Sequence, residues 1–188
     1  MTDDGRRHEP LPEPEWPVRE SETEYETGWY TGGYDLVEQP NGSTKRYYWA
    51  ELATAVVVVA VEDDSLVFVE QYRPTIRETQ LELPAGIVEA GESFTTAAAR
   101  ELREETGFEA GSTALLEDFW CSTGVLRHRR GLVFATDLTP VERDLDENEF
   151  LSVHSVPVSE ALDVARSSSM NDATLEGVLL AREEGLLP

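Results

Sequence analysis

The sequence predicts an α/β domain in which strands and helices alternate along the chain and pack in layers. Three observations carry that prediction. The run Ala53 to Val61 is β-branched with little polar alternation, the pattern of a strand buried on both faces. The stretch Ser93 to Gly107 has a helix start, a helix-forming interior and a helix stop. On either side lie short apolar runs bounded by turn residues, which read as further strands.

Residues 1–24 are acidic, rich in proline and poor in apolar anchors, and are expected to form a flexible lead-in. Trp16 is the exception, positioned to pin that segment to the body or to a second subunit. Residues 25–51 are expected to form an N-terminal β subdomain. In it, Tyr34 to Val37 and Thr44 to Ala50 flank Asn41-Gly42, a strong hairpin signal. Residues 52–188 form the main domain. There Leu66 to Glu70 returns from a polar turn at 62–65, Gln71 to Pro74 enters a loop, and Leu81 to Ala85 leads into the helix region. Strands are predicted over Leu115 to Cys121, Leu132 to Leu138 and Phe150 to Val156, with a basic loop at 127–130 and an acidic loop at 144–149. Ser159 and Asp172 are expected to cap two closing helices.

Composition narrows the function. The chain has 38 acidic against 15 basic residues, a formal net charge of -23, and Lys45 is its sole lysine. Such a surface repels nucleic acid and anionic membranes, so a polyanionic macromolecular partner is not expected. The same composition resembles that of proteins from salt-loving microbes. Cys121 is the single cysteine, which excludes an intramolecular disulfide and a cysteine metal cluster; it reads as buried strand filler. The acidic, proline-rich start does not resemble a signal peptide, and the longest apolar run is too short to span a bilayer, so a cytoplasmic location is expected.

The chemistry is concentrated in residues 86–108, GIVEAGESFTTAAARELREETGF. Glu101 and Glu105 are four positions apart, so on a helix they stack on one face, with Glu104 beside them. Like charges on one face are destabilising unless a positive group neutralises them. A hard divalent cation such as Mg²⁺ accepts carboxylate and backbone oxygens, and Arg100 could orient a neighbouring carboxylate. The plain alternative is a charged, solvated helix face.

The spacing goes further than the acidic cluster. Gly86, Glu92, Arg100, Glu101, Glu104, Glu105 and Gly107, with Leu102 and Phe108 at the apolar positions, match G-x5-E-x7-R-E-U-x-E-E-x-G-U, where U is aliphatic or aromatic. The chain therefore resembles the Nudix hydrolases. Glu70-Gln71-Tyr72-Arg73 followed by Leu81-Glu82-Leu83-Pro84-Ala85-Gly86 is similar to the ADP-ribose pyrophosphatase branch. The resemblance implies an α/β/α sandwich around a mixed sheet, with residues 52–188 as the Nudix domain, and a homodimer. It also implies Mg²⁺-dependent hydrolysis of a nucleoside diphosphate linked to a second moiety, with Mn²⁺ as an alternative ion and ADP-ribose, giving AMP and ribose 5-phosphate, as the default substrate. Competing readings are another nucleotide sugar, a dinucleotide, or a non-catalytic nucleotide sensor on the same fold.

The resemblance also implies residue roles. Glu101, Glu104 and Glu105, with the backbone carbonyl of Ala85, would hold the metal, and Glu92 would support them. Arg73 would reach the substrate phosphates, the alternative being a surface ion pair. Glu82 is either a substrate contact or a strand-edge carboxylate. The general base is expected among Asp146, Glu147 and Glu149, with Glu147 the first choice. Trp29 is the candidate to stack on the base, against a role in the core or a dimer interface. The branch usually has a Pro-Gly dipeptide followed four residues later by glutamate. Here Ser122-Thr123-Gly124 stands in its place and His128 falls on the glutamate position. His128 with Arg127, Arg129 and Arg130 would then either bind an extra anionic group of the substrate or pair with the chain's own carboxylates.

Overall fold

The computed structural model of the chain describes residues 16–145, 150–167 and 170–188. These form two compact units. The first comprises residues up to Leu52 together with Gly124–Arg127, and the second Ala53–Thr123 with His128–Pro188.

The first unit is a four-stranded sheet in the order β1-β2-β3-β9. Strands β1 (Val18–Glu26), β2 (Tyr30–Glu38) and β3 (Thr44–Leu52) are antiparallel, and β9 (Leu126–Arg127) lies parallel to β3. The β2–β3 turn is the Asn41-Gly42 hairpin expected from sequence. In it Gln39 N–H donates to the Ser43 carbonyl at 2.7 Å. Strand β1 corrects the expectation of a flexible lead-in to residue 24. Every residue of β1 is exposed, so no apolar period marks it. It is held instead by ladder pairing with β2, by Tyr34 Oη donating to Glu20 at 2.7 Å and Glu22 at 2.6 Å, and by Arg19 on Glu38. The two carboxylates on the phenol, Glu22 first, raise the Tyr34 pKa above its ordinary value. Trp16 lies edge-on to Tyr47 at 6.1 Å, within the same unit.

The second unit is a mixed sheet in the order β11-β5-β4-β10-β8, with β6 paired to β5 and β7 paired to β4. Its strands are β4 (Ala55–Glu62), β5 (Ser65–Arg73), β6 (Glu78–Glu82), β7 (Ala85–Ile87), β8 (Phe108–Trp120), β10 (Arg129–Pro140) and β11 (Leu151–Pro157). Only β4 and β10 run parallel. Helix α1 (Phe94–Thr106) covers one face, and α2 (Val158–Ala165) and α3 (Asp172–Glu183) cover the other. Strand β4 shows why this is a sandwich. Val56, Val58 and Ala60 pack with Ala97, Ala98 and Leu102 of α1, whereas Val57 and Val59 pack with Val178 and Ala181 of α3. A strand buried on both sides needs apolar residues at every position, which is the run the sequence contains. The fold is thus the α/β/α arrangement with a mixed sheet.

Several boundaries differ from expectation. Strand β5 continues through Arg73 instead of giving way to a loop at 71. Strand β8 begins at Phe108, immediately after α1. The basic stretch 127–130 is not a loop, since Arg127 ends β9 and Arg129 opens β10. Cys121 is buried just past β8, and burial raises its thiol pKa. Helix α2 starts after Pro157 with no side-chain cap, and α3 is capped by Asn171, one residue before the expected Asp172. Among the described residues no helix is long and apolar enough to cross a membrane.

Helix α1 begins and ends where the sequence signals. Ser93 Oγ accepts the Thr96 N–H at 3.1 Å, and Gly107 closes the helix at φ +74°, its N–H donating to the Arg103 carbonyl at 2.9 Å. A Cβ on Gly107 would sit 3.1 Å from the Val141 carbonyl as well as in the left-handed region. Gly107→Ala is therefore expected to cost about 1–2 kcal/mol of stability, read as a lower urea midpoint at unchanged slope.

Candidate active site

The site is assembled on one strand-loop-helix passage of the second unit. Strand β6 delivers Glu82 and Leu83. The Pro84 carbonyl accepts the Val58 N–H at 2.8 Å, and Ala85 pairs with Val57, so the turn into Gly86 is fastened to β4. Helix α1 then presents its acidic face to that turn. Glu105 is 3% exposed and its Oε2 accepts the Ala85 N–H at 3.0 Å. Glu101, 8% exposed, lies directly against Gly86. A Cβ built on Gly86 would fall 1.9 Å from the Glu101 carboxyl carbon. The glycine is required here by close approach, since any side chain would occupy the space of the carboxylate.

Arg100 organises the remaining charges. Its Nη1 donates to Glu101 at 2.8 Å and Glu104 at 3.0 Å. Its Nε and Nη2 donate to Glu92 at 3.1 and 3.0 Å, and Nη2 also donates to the Ile87 carbonyl at 2.8 Å. Bonding to Glu92 first, then to Glu101 and Glu104, raises the arginine pKa further, and Arg100 holds the Glu92 carboxyl below the ordinary carboxylate range. Glu92 also accepts the Glu89 N–H at 3.0 Å, which closes the loop between β7 and α1. One guanidinium thus serves three carboxylates, and Glu105 is bonded to a backbone N–H.

As they stand, no three His, Cys, Asp or Glu side chains among the described residues converge into a metal cluster, and Glu101 and Glu104 are bonded to Arg100. The donor set nevertheless fits a hard cation. It consists only of oxygens, two of its carboxylates are buried on adjacent turns, and two of its anions, Glu101 and Glu104, share one arginine. Glu104 is the most exposed of the three carboxylates that Arg100 holds.

The other predicted residues are distributed as follows. Glu82, the last residue of β6, is buried at 3% exposure. Its Oε2 accepts from Arg73 Nε at 2.9 Å, from Arg73 Nη2 and from Gln71 Nε2 at 3.3 Å, and its Oε1 accepts from Asn171 Nδ2 at 2.8 Å. Arg73 is half-exposed, and its ion pair is with this buried carboxylate, not with a surface one. His128 donates from Nδ1 to the Ala53 carbonyl at 2.8 Å, and burial lowers its pKa below the ordinary imidazole value. The basic residues are paired within the chain. Arg127 meets Asp35 at 2.5 Å and stacks over Trp49, Arg129 meets Asp118, and Arg130 meets Glu176 at 3.1 Å and Asp172 at 3.5 Å. Pairing with the chain's own carboxylates is one of the two roles expected for this stretch. Trp29 belongs to the first unit and is 81% exposed, which excludes a core role. Asp146, Glu147 and Glu149 lie outside the described residues. Asn171, absent from the sequence reading, enters the site as the third residue bonded to Glu82, and only its cap position at a helix start could have drawn attention to it.

Comparison with known proteins agrees with this geometry. The NUDIX domain model matches residues 51–174. The chain is 36% identical over 140 residues to the ADP-ribose pyrophosphatase of Bacillus subtilis, covering 73% of this chain and 76% of that one. It is 35% identical over 142 residues to the methanol dehydrogenase activator of Bacillus methanolicus, covering 74% and 77%. A crystal structure of an ADP compounds hydrolase superposes with a TM-score of 0.84 at 27% identity, covering 91% of this chain and 95% of that one. With the glycine-seated carboxylate, the arginine-held glutamates and the layered mixed sheet already in place, these matches make the chain a member of the Nudix hydrolases, on the branch that includes the ADP-ribose pyrophosphatases.

Proposed function

We propose that the protein hydrolyses the diphosphate bond of a nucleoside diphosphate sugar, with ADP-ribose, cleaved to AMP and ribose 5-phosphate, as the first substrate to test. The observation that carries this reading is the convergence of Glu101 and Glu105 on the Ala85-Gly86 turn, one seated on the glycine and the other bonded to the alanine N–H. Glu101, Glu104, Glu105 and the Ala85 carbonyl would hold Mg²⁺ or Mn²⁺. A divalent cation, when bound, supplies charge neutralisation at the diphosphate and activation of water. The protein's part is positional. Arg73, braced by Glu82, spends Nε and Nη2 on that carboxylate and keeps other N–H donors for a phosphate oxygen. Arg100 keeps the acidic residues oriented until a cation competes for them. The base is assigned to the 146–149 segment, with Glu147 first.

The pairing of Arg127, Arg129 and Arg130 within the chain favours an ordinary diphosphate sugar over a substrate with an additional phosphate. The exposed rings of Trp29, Tyr25 and Tyr30 in the first unit suit a homodimer contact, which light scattering at micromolar protein would register as a doubled mass.

The deciding experiment is a panel of ADP-ribose, other nucleotide sugars and dinucleotides with Mg²⁺ or Mn²⁺ in low and molar KCl, scored by AMP release. ADP-ribose turnover is expected, abolished by chelator and restored by adding back the cation. Binding of ADP-ribose with no turnover under any of these conditions would replace this reading with that of a sensor.

A further inference from the structure

We propose that Asn171, at the head of α3, is a positioning residue for Arg73, acting through the buried carboxylate of Glu82. The proposal rests on the reading of Arg73 as a residue that faces the substrate phosphates. Asn171 makes two hydrogen bonds in opposite directions. Its Oδ1 accepts the Thr174 N–H at 2.8 Å, which caps the helix, and its Nδ2 donates to Glu82 Oε1 at 2.8 Å. The orientation of the amide is fixed twice over, because a backbone N–H can only donate and an ionised carboxylate can only accept.

The consequence falls on Glu82. With Oε1 anchored to α3, the carboxylate plane cannot turn, and Oε2 is presented to Arg73 Nε at 2.9 Å and to Gln71 at 3.3 Å. The next residue along the strand is tied to the same helix, since Leu83 N–H donates to Oγ1 of Thr174, a residue 1% exposed. Arg130 of β10 holds Asp172 and Glu176 on the first turns of α3. The helix head is therefore a fixed post and not a fraying end. Capping alone does not select asparagine, because aspartate and serine cap as well. The second bond does select it. Aspartate cannot donate to Glu82, and serine is too short to reach it.

Asn171→Asp and Asn171→Ser keep the cap and remove the donor. In both, KM for ADP-ribose is expected to rise about tenfold with kcat within about twofold, because a phosphate contact made equally in ground and transition states is weakened. Calorimetry with ADP-ribose in chelator should show Kd weakened by a similar factor, a readout that requires no turnover. The thermal midpoint of Asn171→Ser should stay close to that of the parent. In an Arg73→Ala background the same substitutions should add nothing further, the mark of two residues acting as one unit. If Arg73→Ala raises KM and Kd while neither Asn171 variant does, the proposal is wrong and the reading of Arg73 survives. It is equally wrong if the Asn171 effect persists undiminished in the Arg73→Ala background. If Arg73→Ala itself changes neither constant, the reading of Arg73 fails and the proposal falls with it.

Discussion

Glu105→Gln is expected to lower kcat by about three orders of magnitude while leaving the fold intact. Glutamine has the shape of glutamate, and its side-chain oxygen can still accept the Ala85 N–H that Glu105 accepts at 3.0 Å. The turn before α1 therefore keeps its anchor, and the thermal midpoint and circular dichroism should match the parent. What is lost is one negative charge from the acidic face of α1, where Glu101 and Glu105 are both buried. A cation held against a diphosphate depends on that charge, and a structural hydrogen bond does not. Equal activity in the two proteins would remove Glu105 from the metal site.

Gly86→Ala should produce the second large effect, a fall in kcat of about a hundredfold, by displacing Glu101. The new methyl would overlap the Glu101 carboxyl carbon at 1.9 Å and its oxygens at 2.1 and 2.2 Å. The clashing atoms are the end of a flexible side chain, and Gly86 does not adopt a left-handed φ. The methyl is therefore accommodated by rotating Glu101, at little cost in stability. The informative result is the dissociation of the two readouts, with activity lost and the melting curve unmoved. A variant that loses both in parallel would mean that Gly86 serves packing alone.

Legibility from sequence followed the kind of force involved. Helix α1 was fully legible, because Ser93, the alanine run and Gly107 act locally and the structure uses each as its chemistry suggests. The buried strand β4 was legible because burial on both faces demands an unbroken apolar run. Strand β1 was not, because Glu20, Glu22, Glu24 and Glu26 alternate with other exposed residues and its stability comes from a partner strand. Within the site, the acidic face of α1 could be read from spacing, but its clasp by Arg100 and its seat on Gly86 required coordinates. The bracing of Glu82 was not legible because its partners, Arg73 across the β5–β6 pairing and Asn171 at the head of α3, leave no local trace in the sequence. The partners of the basic stretch 127–130 could not be named from sequence for the same reason, since its carboxylates lie at Asp35, Asp118, Asp172 and Glu176.

The most direct test of the account is a Mn²⁺ titration followed by electron paramagnetic resonance, comparing the parent protein with a Glu101→Gln, Glu105→Gln double variant in the presence of a non-hydrolysable nucleoside diphosphate. The account predicts specific Mn²⁺ binding by the parent, lost in the variant while both retain the same melting curve. Identical Mn²⁺ isotherms for the two proteins would contradict it.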